Sequence, residues 1–129
     1  MDAVATPVIA ALLAFFYILL TANVIRTRAA EKVGIGHGES RLLERRVRAH
    51  GNFAEYAPFG VVLLLLVELA GSPINLVWSL GAALILGRLV HAYSLNSLTL
   101  RPKCRIAGMI LTLGSIGLTA VTLAAMSVS

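Results

Sequence analysis

The chain has 129 residues, of which 58% are hydrophobic and only 13% charged, with a mean hydropathy of +0.87. A soluble domain is about a quarter charged, so this composition excludes one and describes a membrane protein. The formal charge of +5 does not point to nucleic acid, because the basic residues sit in short links beside apolar segments, where they act as topology signals.

The first apolar segment covers about residues 7–25. Thr6-Pro7 opens it with proline at the first helical position, and residues 7–24 carry no charge. With Asp2 ahead of it and no basic n-region, it reads as an anchor and not as a cleaved signal peptide. The link that follows holds Arg26, Arg28, Lys32, Arg41, Arg45 and Arg46, with Gly34, Gly36 and Gly38 expected to keep it flexible. The second segment, about 40–70, exceeds the roughly twenty residues that span a bilayer. Its first turns, RLLERRVR, must project into water, whereas the run from Phe59 on is hydrocarbon.

Gly71-Ser72 is a short uncharged link, which makes the second and third segments an antiparallel hairpin. The third segment, 73–95, contains the small pair Ala83 and Gly87, and Gly108, Gly114 and Gly117 thin the fourth, 103–126; small residues let helices approach closely in lipid. Arg101, Lys103 and Arg105 mark the last link. The positive-inside rule then places residues 26–46 and 96–104 in the cytoplasm and both termini outside, with Arg88 the one Lys or Arg away from that face. The expected fold is an all-α membrane protein, a single bundle of four transmembrane helices. One cysteine, Cys104, excludes an internal disulfide and a cysteine-rich metal site; at the cytoplasmic edge it reads as incidental. No metal is expected.

The second segment poses an energetic problem. Arg48, Asn52, Glu55 and Phe59 fall on a narrow arc at 100° per residue, with Tyr56 beside them and Pro58 just below, where it frees the Ala54 carbonyl and favours a kink. Ionisable groups in a membrane segment usually face a protein interior or a watery site. Glu55 lies nine residues in from Arg46, or roughly 13 Å, and Arg88 lies at similar depth on the antiparallel third helix. Depth matching therefore predicts that Arg88 and Glu55 approach each other, directly or through a ligand, with His91 one turn nearer the cytoplasm. The bland alternative is that an Arg–Glu pair with Asn52 merely holds two helices in register. Glu68 reads as interfacial, and His91 alone as a packing residue.

Arg48-x-x-x-Asn52-x-x-Glu55-Tyr56-x-Pro58 at the start of the second of four helices, with Gly87-Arg88-x-x-His91 on the third, resembles the signature of the MAPEG family. These are membrane-associated proteins in eicosanoid and glutathione metabolism, such as the microsomal glutathione transferases. The resemblance covers the whole chain. It implies a homotrimer with sites between subunits near the cytoplasmic face, glutathione as co-substrate, and a lipophilic electrophile drawn from membrane lipid. It implies that Arg48 holds a glutathione carboxylate, that Asn52 bonds its peptide, that Glu55 meets its glutamyl amine, and that Tyr56, His50, Arg88 and His91 complete the site. Arg105, with Arg101 as runner-up, matches the arginine that stabilises the thiolate. Leu95 departs from the family, standing where eicosanoid-type members carry a tyrosine. Small size and short tails are similar to prokaryotic members, which implies a bacterial inner membrane.

The expected activity is glutathione transfer to lipophilic electrophiles or reduction of hydroperoxides. Arginine forks suit the carboxylates, and a cation beside a helix N-terminus lowers a thiol pKa. One alternative is a non-catalytic protein of the same fold that binds another anion. A small multidrug exporter is the other, and it is disfavoured because it needs a glutamate within the first helix.

Overall fold

A computed structural model, which describes residues 2–128, contains four helices in chain order: α1 (Ala5–Glu31), α2 (Arg41–Leu69), α3 (Ile74–Leu95) and α4 (Pro102–Ser127). Each is long and apolar enough to cross a membrane, and the described residues form no strand. The bounds of α2, α3 and α4 agree with the sequence pattern to within a residue. α1 runs on past residue 25 to Glu31, because Arg26–Glu31 is rich in good helix formers that need no lipid. It ends at Lys32, a left-handed cap with φ 55° whose N–H returns to the Arg28 carbonyl. Arg28 then donates to the Gly36 carbonyl at 2.7 Å, and Gly36 and Gly38 take positive φ. The link expected to be flexible is thus a hydrogen-bonded turn. Ser40 starts α2 by accepting the Leu43 N–H at 3.2 Å.

The apolar core lies between α1, α2 and α3, where Ile9, Leu13 and Leu20 meet Phe53, Leu64, Val67, Val77 and Leu84. The contribution of α4 is different. Its buried residues are Gly108, Thr112, Ser115 and Thr119, a small-residue stripe at i, i+4, i+7 and i+11. Lipid supplies no hydrophobic force between helices, so close backbone approach and hydrogen bonds must hold them. A Cβ on Gly87 would sit 2.8 Å from the Thr112 nitrogen, and one on Gly108 2.6 Å from the His91 nitrogen. Ser115 donates across to the Leu80 carbonyl at 2.7 Å. Gly114 and Gly117 have nothing near them, so of the three glycines expected to thin α4 only Gly108 serves packing. Gly108→Ala is expected to push α4 off α3 and cost about 2 kcal/mol in detergent unfolding, in the range for overpacking. Gly114→Ala, with open space around it, is the control and is expected to lose nothing.

Glu68, read as interfacial, lies at the C-terminal end of α2 but is turned into the protein. It is 6% exposed, and its carboxylate accepts the backbone N–H groups of Val4 and Ala5, both at 2.7 Å, and of Thr6 at 2.8 Å. It caps the start of α1 from the end of α2. Three first-turn amides have no intrahelical acceptor, and at this end of the bundle Glu68 supplies one.

Candidate functional site

At the end of the bundle that carries the basic links, α2, α3 and the first turn of α4 enclose a polar hollow of about 250 Å³. Its lining is Glu44, Arg45, Arg48, Asn52, His91, Leu95 and Arg105. The helix periodicity builds it: Glu44, Arg48 and Asn52 are successive turns of one face of α2, as His91 and Leu95 are of α3. Of the residues singled out in the sequence, Arg48, Asn52, His91 and Arg105 come together here. Glu44 and Arg45 join them, and both were legible as polar positions one turn before Arg48.

Arg88 lies behind this wall, 1% exposed. Its Nε donates to Thr112 Oγ1 at 2.9 Å, its Nη1 to Asn52 Oδ1 at 2.6 Å, and its Nη2 to the Met109 sulfur at 3.4 Å. The guanidinium lies 5.0 Å from the centre of the Tyr56 ring. All of these partners are neutral. A guanidinium has donors only, so the Asn52 oxygen must face Arg88, and the amide NH2 is left for the hollow.

The expected direct meeting of Arg88 and Glu55 does not occur. Glu55 is exposed, and Arg88 reaches Asn52 instead. Equal depth fixes one coordinate only; Asn52 and Glu55, three residues apart, differ by about 60° around the helix, and α3 lies on the Asn52 side. Tyr56 reaches the site only through Arg88.

His50 points away from the hollow, toward α1. Its Nε2 lies 3.1 Å from Thr21 Oγ1, and its ring centre 4.8 Å from that of Tyr17. The Thr21 hydroxyl also lies 2.9 Å from the Tyr17 carbonyl. Arg101 lies outside the hollow too, 4.3 Å from the Tyr93 ring centre and bonded to Ser97 Oγ at 2.7 Å.

The bundle also carries two apolar grooves, of which one adjoins the site. One, of about 400 Å³, runs between α1 and α2 past Tyr17, Phe53, Ala54 and Pro58. The other, about 450 Å³, follows α4 along Arg105, Ile106, Met109, Ile110 and Leu113. Arg105 therefore stands where the polar hollow meets an apolar surface, and the first turn of α4 has no side-chain cap. The hollow is lined by three arginines, an amide donor and one carboxylate, with the uncapped start of α4 one turn before Arg105. This donor set suits a small anion that also carries an ammonium group.

A family model described as the MAPEG family matches residues 6–125. The Inner membrane protein YecN of Escherichia coli strain K12 is 36% identical over 74 residues, 57% of this chain and 56% of that protein. The protein of the same name from a second Escherichia coli strain aligns equally well. The matched stretch thus spans little more than half the length of these curated relatives. With a family match that takes in all four membrane-spanning helices and every residue of the polar hollow, this chain is a multi-pass membrane protein and belongs to the MAPEG family.

Proposed function

We propose that this protein is a glutathione-dependent transferase or peroxidase that activates the glutathione thiol against lipophilic electrophiles or hydroperoxides. The observation that carries the reading is the junction at Arg105 between a cationic hollow and an apolar groove. Glutathione is polar and doubly anionic at its carboxylates; its reaction partner is oily. The two must meet at one edge.

Arg48 and Arg105 supply charge for the carboxylates, the Asn52 NH2 donates to a peptide or carboxylate oxygen, and Glu44 offers the hollow's one anion to the glutamyl ammonium. Glu55, exposed on the protomer, serves a ligand only from outside this hollow, which fits a site shared between subunits of a homotrimer. At Arg105 and the start of α4 the thiol pKa falls from about 8.5 toward neutrality. The thiol proton leaves to water. The sulfur lone pair forms a carbon–sulfur bond, and the leaving group departs with its electrons. With a hydroperoxide, two glutathiones become the disulfide as the substrate is reduced to an alcohol and water. Positioning and fixed charge are the whole of the catalysis.

The basic end faces the cytoplasm under this reading, with both termini outside. A bacterial inner membrane is supported by the printed name of the YecN relatives. Glutathione at millimolar concentration is expected to raise the melting temperature. Arg105→Ala is expected to cut conjugation of a broad electrophile by about 10² or more, as for loss of one transition-state donor, with the fold intact. Absence of any glutathione effect on melting would sink the proposal. Leu95, an apolar group in the wall of the hollow, favours the rival reading of an anion-binding protein without turnover. Binding with no conjugation would establish that rival.

A further inference from the structure

Arg45 crosses from α2 to the link between α3 and α4. Its Nε donates to the Ser97 carbonyl at 2.5 Å, and its Nη2 to the Ser94 carbonyl at 2.8 Å and the Thr99 carbonyl at 3.4 Å. Ser94 lies in the last turn of α3, where carbonyls lack helical donors and a cation is favourable. Ser97 is held a second time, since its hydroxyl accepts Arg101 Nη1. The Arg101 carbonyl in turn accepts the Arg105 N–H at 3.1 Å. An unbroken series of bonds therefore runs from Arg45 through Ser97 and Arg101 to the backbone of Arg105.

Further down, the contact of Gly108 with α3 fixes α4 on its neighbour. The first turn of α4 lies beyond that contact and hangs on the link. Arg45 also lines both the polar hollow and the smaller cavity next to it, and Arg105 is common to the two.

We infer that Arg45 is a positioning residue, whose guanidinium clamps the α3–α4 link so that Arg105 is held at the edge of the hollow. The inference rests on the glutathione reading above, in that Arg105 is taken to act on a bound thiolate. With its fork engaged by three carbonyls, Arg45 acts on the ligand chiefly through Arg105. Lysine cannot replace it, because a single ammonium is a point charge that cannot bridge acceptors spread over three residues.

The test is an ultraviolet titration of the thiolate of bound glutathione, with wild type, Arg45→Lys and Arg45→Met compared at saturating glutathione. Lysine keeps the charge and methionine keeps the packing of the stem, so at least one folded variant is available. In both, the thiolate is expected to appear about one pH unit higher, a tenfold loss. Amide hydrogen exchange in residues 96–101 is expected to quicken while exchange in α2 is unchanged. A residue that merely stabilised the bundle would lower the melting temperature without moving the thiolate titration, and that result overturns the inference. So does full rescue by lysine. If wild type shows no thiolate signal, the glutathione reading is what fails; the exchange comparison then decides the clamp, and unchanged exchange in residues 96–101 overturns it.

Discussion

Glu68→Leu is expected to release the start of α1 from the bundle and to cost about 3 kcal/mol in unfolding. The carboxylate accepts three backbone N–H groups within 2.8 Å, and each buried donor left without a partner costs about 1–3 kcal/mol. The low end of that sum applies, since frayed amides at a helix start can find water. Leucine fills a similar volume, so the loss reports the hydrogen bonds and not a cavity. Glu68→Gln keeps one acceptor oxygen in place and is expected to lose roughly half as much. Hydrogen exchange localises the effect: the amides of Ala5 and Thr6 are expected to exchange early, with those around Leu64 and Leu84 protected. A variant that loses stability evenly across all four helices would show that Glu68 acts on packing and not as a cap.

The Glu68 clasp also marks where the sequence stops being legible. Helix positions in the chain follow from bilayer thickness, prolines and charge, and three of the four came out within a residue. The exception, the water-exposed end of α1, is held by Arg28 and the left-handed Lys32, neither of which hydropathy detects. A glutamate near a helix end looks interfacial because its partners are backbone amides, and these are the same in every sequence.

The site was half legible for a related reason. The stripe on α2 carries Arg48 and Asn52, and the family resemblance adds His91 and Arg105 to them. Depth and a helical arc could not say which stripe residue α3 would touch, so Glu55 was paired where Asn52 belongs. His50, two residues after Arg48, lies about 200° away around the helix, and its place beside α1 was readable from that angle alone. The packing of α4 is hidden in the sequence because Gly114 and Gly117 look like packing glycines as much as Gly108 does, while the rest of the buried stripe is hydroxyl residues, Thr112, Ser115 and Thr119.

Asn52→Leu is expected to be the costliest single change in the site. Arg88 is almost wholly enclosed, and its shortest hydrogen bond, 2.6 Å, goes to Asn52 Oδ1. Leucine leaves a buried charge with the Thr112 hydroxyl, the long 3.4 Å contact to the backbone carbonyl of residue 52, a thioether and an aromatic face. A hydrogen bond to a charged group is worth about 1.5–3 kcal/mol, and stranding a buried charge costs about 3–5 kcal/mol, so a loss of about 3 kcal/mol is expected. Replacing both partners is cheaper than replacing one. The double variant Asn52→Leu with Arg88→Met is therefore expected to recover most of the stability, which a double-mutant cycle in detergent would read as coupling of at least about 1 kcal/mol. Glu55→Gln separates the two accounts of Arg88. If Arg88 were paired with Glu55 inside the protomer, that variant would cost as much as Asn52→Leu; with Glu55 exposed, it is expected to leave protomer stability unchanged. Glutathione adds a second axis. The double variant regains the fold but lacks the Asn52 NH2, so its melting temperature is expected to respond less to glutathione than that of wild type. If binding returned together with stability, Asn52 would be a structural partner of Arg88 and no part of the ligand site.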